Sequence, residues 1–107
     1  MGDRAQVLMK DEGVYLYTHW GAYTLPKDVA VALDSQAGRG RWEDPEYLAR
    51  IVFDCMKKDD TTGETGFGIS THEGDAQFVI EVDSAKQTVR HEDQSYTFEE
   101  FISAYKE

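Results

Sequence analysis

The fold is decided by the segment from residue 44 to residue 56, which reads DPEYLARIVFDCM. Its apolar residues recur three or four positions apart, which is the spacing of one face of an α-helix. Pro45 suits the first turn of such a helix, and Asp44 is a residue type that caps helix N-termini. The segment therefore predicts a core helix, with an apolar stripe made of Tyr47, Leu48, Ile51, Val52, Cys55 and Met56.

Two segments rich in β-forming residues precede this helix. Residues 5–10 and 14–20 are separated by Asp11-Glu12-Gly13, a short polar link that predicts a β-hairpin. Between the hairpin and the core helix, a further helix is predicted from Pro26 to about Gln36, with Gly38 available to end it.

Three more strands and a helix are predicted after the core helix. The strands lie near residues 66–71, 77–83 and 87–91, and the turns between them are short enough for an antiparallel meander. Thr97 and Glu100 form a capping-box pattern that predicts a final helix. We expect a single core that contains Ile51, Phe78, Ile80, Phe98, Phe101 and Ile102.

The predicted element order is ββααβββα. This order favours an α+β fold, with a mainly antiparallel sheet of about five strands and helices packed on one side. A chain of 107 residues fits one domain, so residues 1–107 are expected to form a single compact unit.

Charge and composition restrict the cellular setting. The net charge is −10, and after residue 58 twelve acidic residues face only three basic ones. This acidity argues against nonspecific binding to duplex nucleic acid. The longest aliphatic run, residues 29–33, is far shorter than the ~20 residues that span a bilayer. Cys55 is the only cysteine, which fits a reducing compartment. We therefore expect a cytoplasmic protein that does not enter membranes.

Residues that could support catalysis or bind a metal are scattered. His19, His72 and His91 lack the compact spacing of a metal site, and Cys55 lies on the apolar stripe of the core helix. The sequence contains no phosphate-binding loop, dinucleotide fingerprint or nucleophile elbow. These observations predict no metal and no cofactor, and they favour a protein without catalysis.

The segment from residue 38 to residue 42, GRGRW, is the best candidate for a ligand site. The guanidinium groups of Arg39 and Arg41 can bind phosphate or carboxylate, and Trp42 offers a stacking face. His19 is the histidine that would join such a site. The alternative is structural: Trp42 inserts into the core, and the arginines pair with Glu43, Asp44, Glu46 or the acidic C-terminal half.

The excess of acidic residues gives a second candidate surface. Glu73, Asp75, Glu92 and Asp93 lie in or beside predicted turns and could form an acidic face for a partner. Such a face could imitate nucleic acid in the phosphate-binding groove of another protein. Acidity that serves only solubility is the simpler interpretation.

Four segments carry a resemblance to other proteins. Residues 17–21 (YTHWG), 38–42 (GRGRW), 44–50 (DPEYLAR) and 62–70 (TGETGFGIS) resemble stretches of a group of short uncharacterised proteins from phage and microbial genomes. The resemblance covers roughly residues 14–71. It implies an accessory protein of a mobile genetic element and carries over no activity, cofactor or site residue.

Three functions remain open at this point. The first is a small intracellular binding or regulatory protein without catalysis, which engages a protein partner through the acidic surface or the segment 38–42. The second is a protein that binds a small ligand or nucleotide with His19, Arg39, Arg41 and Trp42. This alternative includes an enzyme that acts on such a ligand. The third is an acidic nucleic-acid mimic that inhibits a DNA- or RNA-binding protein.

Overall fold

The computed structural model describes residues 3–58, 63 and 65–106. Its elements, in chain order, are β1 (Ala5–Met9), β2 (Val14–Thr18), a 3-10 helix (Ala22–Thr24), α1 (Leu25–Asp34), α2 (Gln36–Arg39), α3 (Pro45–Lys57), β3 (Phe67–Ser70), β4 (Val79–Asp83), β5 (Thr88–His91), β6 (Gln94–Thr97) and α4 (Phe98–Tyr105). The predicted α+β class and the placement of helices on one side of the sheet are confirmed.

The strands form one mixed sheet in the order β3-β2-β1-β4-β5-β6. β1 runs parallel to β4, whereas the other neighbouring pairs are antiparallel. The prediction of about five mainly antiparallel strands is therefore wrong in number, and it missed the parallel pair. The additional strand, β6, reads QSYT and has only one apolar residue, so it lacks the alternation that indicates a strand.

The connection from β3 to β4 explains the parallel pair. The predicted meander would place these strands side by side, but β2 and β1 lie between them. Residues 71–78 cross the sheet on the face opposite the helices, where the Gly74 N–H donates to Gln6 Oε1 at 3.0 Å. The Gln6 side chain is only 2% exposed because this loop covers it. Its buried amide oxygen is thus hydrogen-bonded, as burial of a polar group requires.

The core lies between the helices and the facing side of the sheet. Buried contributors from the sheet are Val7, Leu16, Ile80, Val82 and Val89, and those from the helices include Leu33, Leu48, Val52, Phe98 and Phe101. Four of the six predicted core residues are buried: Ile80, Phe98, Phe101 and Ile102. Ile51 and Phe78 are only partly buried and pack against this core.

The helix ends differ from the prediction around Ser35. α1 ends at Asp34 because Ser35 is extended (φ −63°, ψ 156°), and its Oγ accepts from the Gly38 N–H at 2.9 Å to begin α2. Gly38 therefore lies inside α2 instead of ending α1, and a Cβ there would lie 1.9 Å from the Ala32 carbonyl oxygen. Asp44 makes no capping hydrogen bond, whereas the capping box of Thr97 and Glu100 is confirmed. None of the described helices is long and apolar enough to cross a bilayer.

Candidate functional site

The loop that precedes α3 is held in place by its tryptophan. Trp42 Nε1–H donates to the Leu33 carbonyl oxygen at 2.9 Å. The Trp42 ring packs edge-to-face on Phe98, with 5.2 Å between the ring centroids, and its carbonyl oxygen accepts a hydrogen bond from Ser84. These contacts attach the loop to α1, α4 and the turn after β4, so Trp42 is an anchor of the fold.

Arg39 is already engaged by carboxylates of the same chain. Its Nε donates to Asp34 and its Nη1 to Glu99, each at 2.9 Å. The guanidinium carbon also lies 5.1 Å from the centroid of the Trp42 ring. Lys106 and Arg39 together hold the pKa of Asp34 below its usual value, and Arg39 lowers the pKa of Glu99. An anionic ligand at Arg39 would have to displace both carboxylates.

Arg41 is engaged in a similar way. Its Nη1 lies 3.3 Å from Asp44, and its guanidinium carbon lies 4.6 Å from the centroid of the Tyr47 ring. A cleft of about 510 Å³ is lined by Arg39, Gly40, Arg41, Trp42, Glu43, Asp44 and Gln87. Because Glu43 and Asp44 contribute carboxylates to this cleft, it suits an anion less well than the two arginines alone would indicate.

His19 lies apart from that cleft, directly after β2. Its Nδ1 is 2.7 Å from the Tyr17 hydroxyl, and its ring packs perpendicular to that of Trp20 at 4.7 Å. Trp20 is 62% exposed and in turn packs against Gly66. The structure therefore brings Arg39, Arg41 and Trp42 together, whereas the described contacts of the His19 side chain are with Tyr17 and Trp20.

The four residues of the predicted acidic face are all exposed. Glu73 and Asp75 flank Gly74, which contacts Gln6 near the start of β1. Glu92 and Asp93 form the turn between β5 and β6, and the strand register places this turn at the same end of the sheet. Asp75 pairs with Arg4 at 2.8 Å, so one of the four negative charges is compensated inside the protein.

The remaining titratable candidates do not form a reactive cluster. Burial and the nearby Asp28 raise the pKa of the Cys55 thiol, which keeps it protonated at neutral pH. His91 is buried against Phe78, and burial lowers its pKa. Within the described residues, no three His, Cys, Asp or Glu side chains lie together in a way that could hold a metal ion.

A groove that no sequence pattern indicated lies between α3 and the edge strand β3. This edge groove has a volume of about 350 Å³, and its lining includes Glu12, Leu16, Glu46, Ala49, Phe53 and Ile69. Ile69 is 63% exposed, which is unusual for a large aliphatic side chain. Ile69 lies at a sheet edge because β3 is the outermost strand, and the predicted meander had placed β3 beside β4 instead. The available signal was Ile69 itself, an isolated large apolar residue between Gly68 and Ser70.

The charges around the edge groove are unevenly compensated. Within the described residues, ion pairs engage Arg4, Lys10, Arg39, Arg41, Arg50, Lys58 and Lys106. Arg50, which also lines the groove, pairs with Asp54 at 3.5 Å. Glu12 and Glu46 form no ion pair with any described residue. The groove therefore combines the exposed Ile69 with two carboxylates that form no ion pair with a described residue, and with one guanidinium, Arg50, that is paired with Asp54.

Comparison of the chain with protein-family models, with curated proteins and with solved structures finds no significant match.

Proposed function

We propose that this chain is a non-catalytic binding protein that recognises a positively charged segment of a partner protein. The observation that carries the proposal is the pair of uncompensated carboxylates, Glu12 and Glu46, beside the exposed Ile69. Protein interfaces combine an apolar centre with a polar rim in this way. The carboxylates would attract lysine or arginine and speed association, while the apolar side chains would contribute affinity.

The distribution of reactive side chains supports the non-catalytic part of the proposal. Cys55 has a raised pKa and is therefore a weak nucleophile at neutral pH. His91 is buried among aromatic rings, and His19 is engaged by the Tyr17 hydroxyl. A nucleophile activated by a base needs the two groups within hydrogen-bond reach, and the described residues contain no such pair of cysteine and histidine.

An anion site at Arg39, Arg41 and Trp42 has less support. Both guanidinium groups are paired with carboxylates, and Trp42 is tied to Leu33 and Phe98. The nucleic-acid mimic would instead use the acidic face formed by Glu73, Asp75, Glu92 and Asp93, none of which lines the edge groove, and its partner would be a nucleic-acid-binding protein. We also propose an accessory role in a mobile element, which rests on the expected resemblance of residues 14–71 to short phage and microbial proteins, and a cytoplasmic location, which rests on the composition and the single cysteine.

The proposal is tested by capturing a partner from a lysate of the encoding cell and titrating the purified pair. Two double variants, E12Q/E46Q and E92Q/D93N, each remove two negative charges but at different places. We expect a basic partner whose affinity falls as salt rises from about 0.05 to 0.5 M. We expect at least a roughly tenfold weaker affinity for E12Q/E46Q and a smaller loss for E92Q/D93N.

Affinity that responds neither to salt nor to either double variant would overturn the proposal. Competition by DNA or RNA for a captured nucleic-acid-binding protein would instead favour the mimic.

A further inference from the structure

The outer edge of β3 presents backbone groups that pair with no described residue. The His19 N–H donates to the Gly66 carbonyl oxygen at 2.9 Å, and this bond continues the register in which Tyr17 faces Gly68. Hydrogen-bonded and non-hydrogen-bonded pairs alternate along an antiparallel ladder. Tyr17 and Gly68 therefore bond to each other, and the N–H and C=O groups of Phe67 and Ile69 point away from β2. Among the described residues these outward groups have no hydrogen-bond partner.

The opposite edge of the sheet, β6, differs in this respect. By the same alternation, Ser95 and Thr97 direct their N–H groups outward. The Thr97 N–H, however, donates to Glu100 Oε1 at 2.8 Å as part of the capping box. β6 is four residues long, as β3 is, but among the described residues it leaves fewer outward N–H groups without a partner.

The edge groove lies on the side of β3 where an added strand would place its side chains. Phe67 and Ile69 share the helix-facing side of the sheet, since they face Thr18 and Leu16 in the register. The Phe67 ring packs edge-to-face on Phe53 of α3, with 6.4 Å between centroids, and Ile69 lines the groove. Every second residue of a strand beside β3 would therefore project toward α3.

We propose that the edge of β3 accepts an extended segment of a partner protein, which adds to the sheet as a seventh strand. The segment would place apolar side chains over the edge groove and lysine or arginine beside Glu12 and Glu46. This inference rests on the proposed binding function and names its partner class and binding mode.

Charge complementarity favours such a partner over a second copy of this chain. Two copies joined at β3 would bring together two chains of net charge −10, with Glu12 and Glu46 on each rim. Like charges at an interface oppose association, whereas a basic segment neutralises them.

The probe is a seven-residue peptide with blocked ends, titrated into the full chain at low salt. It carries lysine at positions 1 and 7, valine at positions 3 and 5 and threonine at positions 2, 4 and 6, so that its valine and lysine side chains project on the same face. Amide hydrogen exchange and NMR shifts are read at Phe67 and Ile69, with Ser95 as the reference position. We expect exchange at Phe67 and Ile69 to slow on saturation and exchange at Ser95 to stay unchanged. The same peptide with every backbone nitrogen methylated keeps the side chains and charge but cannot donate hydrogen bonds, so it should bind at least about tenfold more weakly.

Two variants form a matched pair for this test. Ile69→Lys and Ser95→Lys each add one positive charge to an edge strand. The first should weaken probe binding about tenfold or more, and the second less than about twofold.

Equal binding of the methylated peptide, or unchanged exchange at Phe67 and Ile69 on saturation, would overturn strand addition. Neither result would affect the proposed function, which depends on the salt and charge response of the captured partner. Slow exchange at Phe67 and Ile69 in the protein alone, together with a dimer in sedimentation, would assign the edge to a second copy and would also overturn the inference.

Discussion

Arg39 donates a hydrogen bond to Glu99 at 2.9 Å, and this contact joins α2 to α4 across sixty residues of sequence. The same guanidinium bonds Asp34 and lies over Trp42. Arg39, which the sequence indicated as part of an anion site, thus connects α1, α2 and α4. One partner of Arg39, Glu99, belongs to the acidic C-terminal half, which was one of the expected sources of carboxylates for the arginines.

Replacement of Arg39 tests this structural role. Arg39→Ala should lower the urea midpoint of unfolding because it removes contacts with two carboxylates and one aromatic ring. Arg41→Ala is the matched control, since Arg41 makes one ion pair, with a residue three positions away. Equal midpoints for Arg39→Ala and the unaltered protein would contradict the role assigned to Arg39.

The core helix α3 should be far more sensitive to truncation than the edge groove. Leu48 is 0% exposed, so Leu48→Ala should reduce the free energy of unfolding by about 2–5 kcal/mol. Ile69→Ala, at a position that is 63% exposed, should cost less than about 1 kcal/mol. Equilibrium urea denaturation of the two variants checks this difference, and similar losses would show that Ile69 belongs to the core.

The start of β3 depends on the absence of a side chain at Gly66. Gly66 has φ +103°, and a Cβ there would lie 2.9 Å from Trp20 Cζ3. Gly13 also has positive φ, at +69°, but no atom lies near its position for a Cβ. Gly13→Ala should therefore cost about 1–2 kcal/mol from backbone strain alone. Gly66→Ala should cost more, because its φ of +103° lies farther from the left-handed region at about +57° and because the Trp20 ring would have to move. Thermal melts that rank the two variants the other way would argue against this contact.

His91 should make the fold sensitive to mild acid. Burial lowers its pKa below the ordinary value of 6.5, against the opposing effect of Glu92. Its ring also faces Tyr105, whose pKa is raised to about 12, so Tyr105 remains neutral. Because the unfolded chain binds the proton more readily, the stability contributed by neutral His91 is complete above pH 6.5. It is lost as the pH falls from there through the lower pKa of the folded state.

Urea denaturation at about pH 7.5 and pH 5.0 measures this loss. His91→Phe should lose less stability on acidification than the unaltered protein. His72 is exposed, so His72→Asn serves as the control and should retain the full loss. An unchanged pH response in His91→Phe would show that other groups cause it.

Local patterns predicted much of the helical structure. The apolar spacing of residues 47–56 identified α3, and Thr97 with Glu100 identified the start of α4. These signals arise from neighbouring residues and need no knowledge of the sheet. The end of α1 was harder to predict from the sequence. Ser35 caps α2 by accepting a hydrogen bond from the Gly38 N–H, and position 38 requires glycine because the Ala32 carbonyl oxygen lies too close for a side chain.

The strand order and the edge groove required contacts between distant residues. Nothing near Gly74 in the sequence indicates that it meets Gln6, sixty-eight positions away, yet this contact marks the crossover that puts β4 beside β1. The same crossover leaves β3 at the edge and Ile69 exposed. The sequence indicates Arg39 and Arg41 by their spacing, but the partners of Arg39, Asp34 and Glu99, come from other elements, whereas Arg41 pairs with the nearby Asp44.

Binding of a basic partner at the edge of β3 is tested most directly by amide hydrogen exchange along the full chain, with and without the captured partner. We predict slower exchange at Phe67 and Ile69 in the complex and unchanged exchange at residues 39–42. Slower exchange at residues 39–42 with no change at Phe67 and Ile69 would contradict this prediction and would return the binding site to the segment around Trp42.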